Sequence, residues 1–264
     1  MHNEIFTIGK VTIHGYGLMI GIGFLVAVLV GMYRAKKRGM NQEAVLDIAI
    51  YAILAGFLGG KMLYVIVEWK RFVQDPWSVL GSAGFVVYGG IITGVLAGYI
   101  YTRIKKISFV QYFDLIMPEI AIAQGFGRIG CFLAGCCYGR KTDSFLGVIF
   151  PEGSMAPAGV KLLPTQLFMS AGDFLIALLL ILYARKNKTD GNVGAGYLVL
   201  YGVGRFAVEF LRNDARGSVG ALSTSQFISI FIVAIGIAFF VWNTLRARKA
   251  VKADATVKEE SKDE

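Results

Sequence analysis

The stretch Gly125-Phe-Gly-Arg128-Ile-Gly-Cys131-Phe-Leu-Ala-Gly135-Cys136-Cys137-Tyr-Gly139-Arg140 decides how the rest of the chain is read. From Gly125 to Gly139 every residue except Arg128 is apolar or small, and all three cysteines of the chain lie within it. An arginine in such a run costs roughly 2.5–3.5 kcal/mol to place at the centre of a bilayer helix. Glycines beside it let another backbone or a ligand come close. A cation so placed suits an anionic headgroup.

Outward from this stretch the composition is that of a membrane protein. Of 264 residues 55% are hydrophobic and 17% charged, with mean hydropathy +0.59, against about 25% charged in soluble domains. A bilayer span needs ~20 apolar residues. Seven segments approach that length: about 15–33, 45–67, 85–102, 115–138, 166–184, 194–211 and 223–243. The fourth is interrupted by Gly125, Gly127, Gly130 and Gly135, and the sixth carries charge. The pattern predicts an all-α polytopic membrane protein with about seven transmembrane helices, one transmembrane domain over 1–249.

Basic residues favour cytoplasmic loops. Arg34, Lys36, Lys37, Arg38, Arg103, Lys105, Lys106, Arg185, Lys186, Lys188, Arg246, Arg248, Lys249 and Lys252 fall on one side, fourteen in all. Lys10, Lys70, Arg71, Arg140, Lys141, Lys161, Arg212 and Arg216 make eight on the other. The N-terminus is expected outside and the C-terminus in the cytoplasm. The tail over 250–264 is charged and expected to be disordered. A loop over about 140–163, with Pro151, Gly153, Pro157 and Gly159, is expected outside as a lid or small head. Residues 1–14 lack a basic n-region, so no cleaved signal peptide is expected. The net charge of +9 flanks the spans, which suits anionic lipid surfaces and argues against nucleic-acid binding.

Segment six places Tyr201, Arg205, Glu209 and Arg212 within an arc of about 80° on a helix. Two readings stand. Arg205 and Glu209 are i,i+4 neighbours and suit a buried structural ion pair. Alternatively the stripe belongs to an anion site in the outer half of the membrane. Arg128, Arg205 and Arg212 against Glu209 leave a surplus of two cations, and intramembrane charges are usually paired or functional. Arginine's planar fork matches phosphate oxygens.

Gly59-Gly60-Lys61 with Tyr64, and Tyr88-Gly89-Gly90, read either as close helix packing or as linings of the same cavity. Lys61 either snorkels or faces that cavity. Tyr16 reads as an interfacial anchor or a site residue, and His14 as interfacial. With His2 and His14 the only histidines, no zinc constellation is expected. Cys131, Cys136 and Cys137 fall at helical bearings of roughly 0°, 140° and 240° and so share no face. They read as small buried thiols, with a catalytic cysteine beside Arg128 as the alternative.

These segments, in this order from about His14 to Ser229, resemble the prolipoprotein diacylglyceryl transferase family. Gly127-Arg128-Ile129-Gly130-Cys131-Phe132 through Gly135 to Gly139 is similar to the family's G-R-x-G-N-F-x-x-G signature. Tyr201-x-x-x-Arg205-Phe-x-x-Glu209-Phe-x-Arg212, with Asp214 behind it, is a second match. Tyr16-Gly17-Leu18, Gly59-Gly60 with Tyr64, Gly89-Gly90, Pro164-Thr165-Gln166-Leu167, and Ser223 with Gln226 are lesser ones. The chain departs where the family commonly has Arg at Lys61, His at Tyr88, Asn at Cys131, Glu at Cys136 and Glu at Met169.

The resemblance implies transfer of a diacylglyceryl group from phosphatidylglycerol to the lipobox cysteine thiol in the signal peptide of a prolipoprotein. A thioether and glycerol 1-phosphate would form, at a bacterial plasma membrane, with no metal or organic cofactor. Arg128 and Arg205 would hold the phosphate, and Tyr88, Glu209 or the departing phosphate would assist the thiol. Tyr16, Tyr201, Arg212 and Gly139 would bind the headgroup beside Arg128. Two alternatives are a transporter or scramblase for anionic lipids or phosphorylated solutes, and the same chemistry on a different acceptor.

Overall fold

The structure, a computed structural model, describes residues 4–8, 11–187, 189–213 and 217–260. Lys10, Lys188, Asp214 and Arg216, used above in the charge count and the second motif, lie outside the described residues. The elements run β1 (Glu4–Ile8), β2 (Val11–His14), α1 (Gly15–Lys37), α2 (Gln42–Val67), α3 (Trp69–Gln74), α4 (Pro76–Gly81), α5 (Val87–Ile104) and α6 (Phe109–Ala134). They continue β3 (Val148–Ile149), β4 (Lys161–Leu162), α7 (Thr165–Lys186), α8 (Asn192–Glu209), β5 (Ser218–Val219), β6 (Leu222–Ser223) and α9 (Thr224–Glu260). The strands form only two-stranded antiparallel hairpins, β1–β2, β3–β4 and β5–β6.

The protein is an all-α membrane protein. All seven predicted segments are helices of 18 residues or more among the described residues. Four of them, Gly15–Lys37, Gln42–Val67, Thr165–Lys186 and the first part of α9 to Lys249, are long and apolar enough to cross a membrane. The other three are lowered in hydropathy by what they carry: Asp114, Glu119 and Arg128 in α6, Arg205 and Glu209 in α8, and glycines and tyrosines in α5. Large apolar side chains such as Leu25, Phe57 and Trp242 stay exposed, as expected where lipid is the solvent. The helix α9 continues to Glu260, through most of the tail expected to be disordered.

Where one domain over 1–249 is expected, the helices gather into two compact units. One comprises Met1–Val30 with Phe113–Glu264, the other Gly31–Tyr112. In the second unit α2 and α5 pack through glycines. A Cβ on Gly89 would sit 2.4 Å from the Gly59 carbonyl oxygen, and one on Gly90 2.9 Å from that of Gly56. These glycines are there because the backbones touch. Lys61 donates from Nζ to the carbonyls of Ser82 (2.7 Å) and Gly84 (3.3 Å), which ties α2 to the loop before α5. Its ammonium is held by backbone oxygens.

In the first unit α6, α7 and α8 share a core of Met117, Ala121, Ala177, Leu180, Val193 and Tyr197. Asp114 of α6 fixes the start of α8: its two carboxylate oxygens accept from the amides of Gly191 and Gly194, each at 2.7 Å. These are orphan amides of a helix first turn, capped from another helix. The segment 140–163 is a small folded head, closed on Phe150, Ala156 and Leu162 and by the β3–β4 hairpin.

Candidate functional site

The site begins where α6 stops. The helix ends at Ala134, Gly135 turns with φ +73°, and Cys137 adopts φ +64°. The non-glycine residue in that region is a conformation reserved for sites that other contacts enforce. The N-terminus of α7 supplies them. Thr165 Oγ1 donates to the Cys137 carbonyl (2.8 Å), and fully buried Gln166 donates from Nε2 to the Cys136 carbonyl (2.6 Å). This gives the Pro164-Thr165-Gln166 motif a physical task.

The turn corrects one expectation. Bearings of 0°, 140° and 240° presume a helix through residue 137. Because it ends three residues earlier, Cys131, Cys136 and Cys137 converge, with all three sulfurs within 4.8 Å of one another. None of the three is in a disulfide among the described residues.

Arg128 lies one helical turn before Cys131. Its half-buried guanidinium has no hydrogen bond or ion pair to the described residues, while Tyr201, Cys131, Asp173 and Cys137 are close enough to act on it electrostatically. Tyr16, at the N-terminus of α1, packs on the same helix: a Cβ on Gly130 would meet its carbonyl oxygen at 3.1 Å and its ring at 3.2 Å. Gly130 is what lets Tyr16 lie this close to Arg128. Tyr16 keeps 43% of its surface exposed, open to a ligand.

Arg205 is buried and held from two sides. Glu209 Oε2 accepts from its Nη1 at 2.5 Å, and Ser225 Oγ from its Nη2 at 2.7 Å. Ser225 is placed by a reciprocal capping box: Ser223 Oγ accepts from the Gln226 amide, and Gln226 Oε1 from the Ser223 amide, both at 3.1 Å. Tyr201, one turn before Arg205, stacks on Tyr197 with centroids 5.5 Å apart.

The predicted stripe on segment six is intact only to Glu209, where α8 ends. Arg212 lies beyond it, paired through backbone with Gly139. Its buried side chain reaches Met169 Sδ at 3.9 Å and the Cys137 sulfur. Gly139 is buried in the same seam. Its amide donates to the Leu163 carbonyl (2.8 Å), and a Cβ would come within 2.8 Å of the Leu211 carbonyl oxygen. Gly139 therefore aligns the head with the end of α8, and its own amide is already committed. Tyr88 belongs to the second unit, on the first turn of α5, with an exposed side chain.

A residue that sequence reasoning missed completes the set. Asp173, on α7, is 4% exposed and lines a small cavity with Met169, Gly172, Tyr201, Gly204 and Arg205. Arg128 and Arg205 both act on its charge. The signal was present: Asp173 is the lone acid of a 22-residue apolar helix, the same anomaly that drew attention to Arg128. It changes the charge count. Three arginines face two carboxylates, so the surplus is one positive charge. A phosphodiester carries one negative charge.

Comparison with known proteins gives the family of the chain. The profile of the prolipoprotein diacylglyceryl transferase family matches residues 3–242. The chain is 50% identical over 239 residues to a protein of Clostridium perfringens named phosphatidylglycerol–prolipoprotein diacylglyceryl transferase 2, covering 90% of this chain and 93% of that one. It is 48% identical to the transferase of Clostridium tetani over 94% of this chain and all of that one. Against that of Clostridioides difficile it is 35% identical over 92% and 95%.

Proposed function

The chain belongs to the prolipoprotein diacylglyceryl transferase family, and from that premise we propose how its residues carry out the transfer. It is a membrane transferase of lipoprotein biosynthesis, acting on phosphatidylglycerol and prolipoprotein. The acceptor atom is the lipobox cysteine sulfur of the prolipoprotein signal peptide. It attacks the glyceryl carbon, the C–O bond to phosphate breaks, and glycerol 1-phosphate departs.

Arg128 carries the reading. A half-buried guanidinium with no hydrogen bond or ion pair to the described residues, acting on the same Asp173 as an arginine fixed by two, suits an outside anion. As the C–O bond breaks, the phosphate goes from one negative charge toward two. Cations already in place at that point stabilise the developing charge without reorganising, commonly the largest single catalytic term. Glu209 orients Arg205, Tyr16 and Tyr201 lie around the headgroup, and Arg212 faces Cys137 at its edge. Tyr88, on the first turn of α5, is the alternative group to assist the thiol.

The same reading takes all seven long helices as spans of a bacterial plasma membrane, with the N-terminus outside and the C-terminus in the cytoplasm. The last turns of α1, α5 and α7 hold basic residues and those of α2, α6 and α8 hold none. Alternate helices thus end on the basic, cytoplasmic side. This puts Arg128, the cysteine turn and the head in the outer half, and both acyl chains stay in lipid during transfer.

The test is transfer of labelled diacylglyceryl from phosphatidylglycerol to a lipobox peptide in detergent. Arg128→Ala and Arg205→Ala are each expected to lower kcat/KM at least about a hundredfold, the scale of losing one charged stabiliser. Undiminished transfer by either variant rejects that arginine's role.

A further inference from the structure

Asp114 and Asp173 are both buried aspartates of the first unit, each 4% exposed, and their surroundings differ. Both oxygens of Asp114 accept backbone amides at 2.7 Å. This is how a structural carboxylate is usually accommodated, since an ionised group without partners costs several kcal/mol to bury. Asp173 has no hydrogen bond to the described residues, and its Oδ2 is wholly enclosed. It is set in the wall of the cavity that Tyr201 and Arg205 also line. Beside it, Cβ positions built on Gly172 and Gly204 meet no atom within 4 Å. Asp173 thus lines the cavity without a hydrogen bond to the described residues, next to two glycines that leave room.

The transfer reaction lacks one component. A cysteine thiol with pKa ~8.5 is a weak nucleophile until its proton is removed. Glu209 is occupied by Arg205 at 2.5 Å, and Tyr88 has an exposed side chain. We infer that Asp173 is the proton acceptor for the incoming thiol, a catalytic residue that receives the S–H proton in this cavity as the phosphate rests on Arg128 and Arg205. The inference rests on the transferase reading.

The step balances without a further reactant. The thiol proton passes to the Asp173 carboxylate, and the sulfur electron pair forms the C–S bond to the glyceryl carbon. The C–O bond breaks, and its electron pair leaves on glycerol 1-phosphate. Asp173 then hands its proton to the departing phosphate monoester and is again a carboxylate. The open space at Gly172 and Gly204 accommodates the cysteine methylene and sulfur.

The experiment compares two lipobox peptides, one with cysteine and one with selenocysteine at the acceptor position. A selenol is ionised at neutral pH and needs no base. With Asp173→Asn, transfer to the cysteine peptide should fall by about 10²–10⁴-fold in kcat, the usual share of general base catalysis. KM for phosphatidylglycerol should stay within about twofold, and transfer to the selenocysteine peptide within about tenfold of wild type. Asp173→Glu should recover part of the cysteine activity. The ratio of the two peptide rates in one preparation does not depend on how much of the variant folds. An equal loss on both peptides assigns Asp173 a structural role and overturns the inference, as does an undiminished cysteine rate. Wild-type protein that modifies neither peptide rejects the transferase reading itself, and the inference with it.

Discussion

Arg205 shows how a single side chain is fixed by parts far apart in sequence. Its guanidinium is shared between Glu209, one turn along α8, and Ser225, sixteen residues beyond Glu209 at the start of α9. The two partners should differ in weight. Removing Ser225 Oγ forfeits one hydrogen bond to a charged group, worth about 1.5–3 kcal/mol. Removing the Glu209 charge breaks a buried pair, a loss of about 3–5 kcal/mol. Ser225→Ala is therefore expected to lower kcat/KM by about tenfold, since 1.36 kcal/mol is a factor of ten. Glu209→Gln should lower it by about a hundredfold or more, with a lowered unfolding midpoint in detergent. Steady-state kinetics on both variants check the order, and equal effects would reject the assignment of Glu209 as the main support. Residues of this kind were legible before the fold was known, because a charge in an apolar run is conspicuous. Asp173 was as conspicuous as Arg128 and was passed over only because α7 is so strongly apolar otherwise. Cys136 and Cys137 were not legible, since their convergence depends on where α6 stops.

At the scale of elements, helices were read well and their ends poorly. A run of apolar residues determines that a helix exists, whereas its last turn depends on partners elsewhere in the chain. The fourth segment ends at Ala134 and not near 138 because Thr165 and Gln166 take the carbonyls that follow. The three short hairpins left no periodic signal, being two to five residues per strand. Glycine runs were ambiguous between a lining and a seam, and spacing alone does not separate them. Contact distances do. A Cβ on Gly89 would overlap the Gly59 carbonyl at 2.4 Å and Leu63 Cβ at 2.7 Å, whereas one on Gly21 would meet nothing within 4 Å. The same substitution should then have opposite signs at the two positions. Gly89→Ala must force α2 and α5 apart, a destabilisation of about 1–3 kcal/mol. Gly21→Ala removes a helix-weakening glycine in open space, a gain of about 0.5–1 kcal/mol. Thermal unfolding of the two variants in the same detergent measures both, and a stable Gly89→Ala protein would mean that the α2–α5 seam is looser than its distances.

For the whole molecule, membrane character follows from composition, but the number of spans does not. By length and hydropathy four helices qualify, because α6 and α8 carry charges and α5 carries glycines and tyrosines that lower their mean hydropathy. Function and hydropathy work against each other in α6 and α8. Charge placement at helix ends supplies an independent criterion. Arg34, Lys36 and Lys37 close α1, Arg103 closes α5, and Arg185 with Lys186 closes α7, while α2, α6 and α8 have no basic last turn. Cations at a helix C-terminus are favourable in any solvent through the macrodipole. Their restriction to every second long helix is not explained by the dipole, which all helices share. It is explained if those ends alone face the cytoplasm. The alternation supports the proposed seven spans, including the three that hydropathy leaves out. Reporter fusions can read this directly. Green fluorescent protein joined after Gly39 or after Lys249 should fluoresce, and alkaline phosphatase at either point should be inactive. Joined within the head at Ser144, phosphatase should be active and the fluorescent protein dark. A fluorescent fusion at Ser144 would place the head in the cytoplasm, and Arg128 and the cysteine turn with it, on the side opposite to that from which a secreted prolipoprotein offers its thiol.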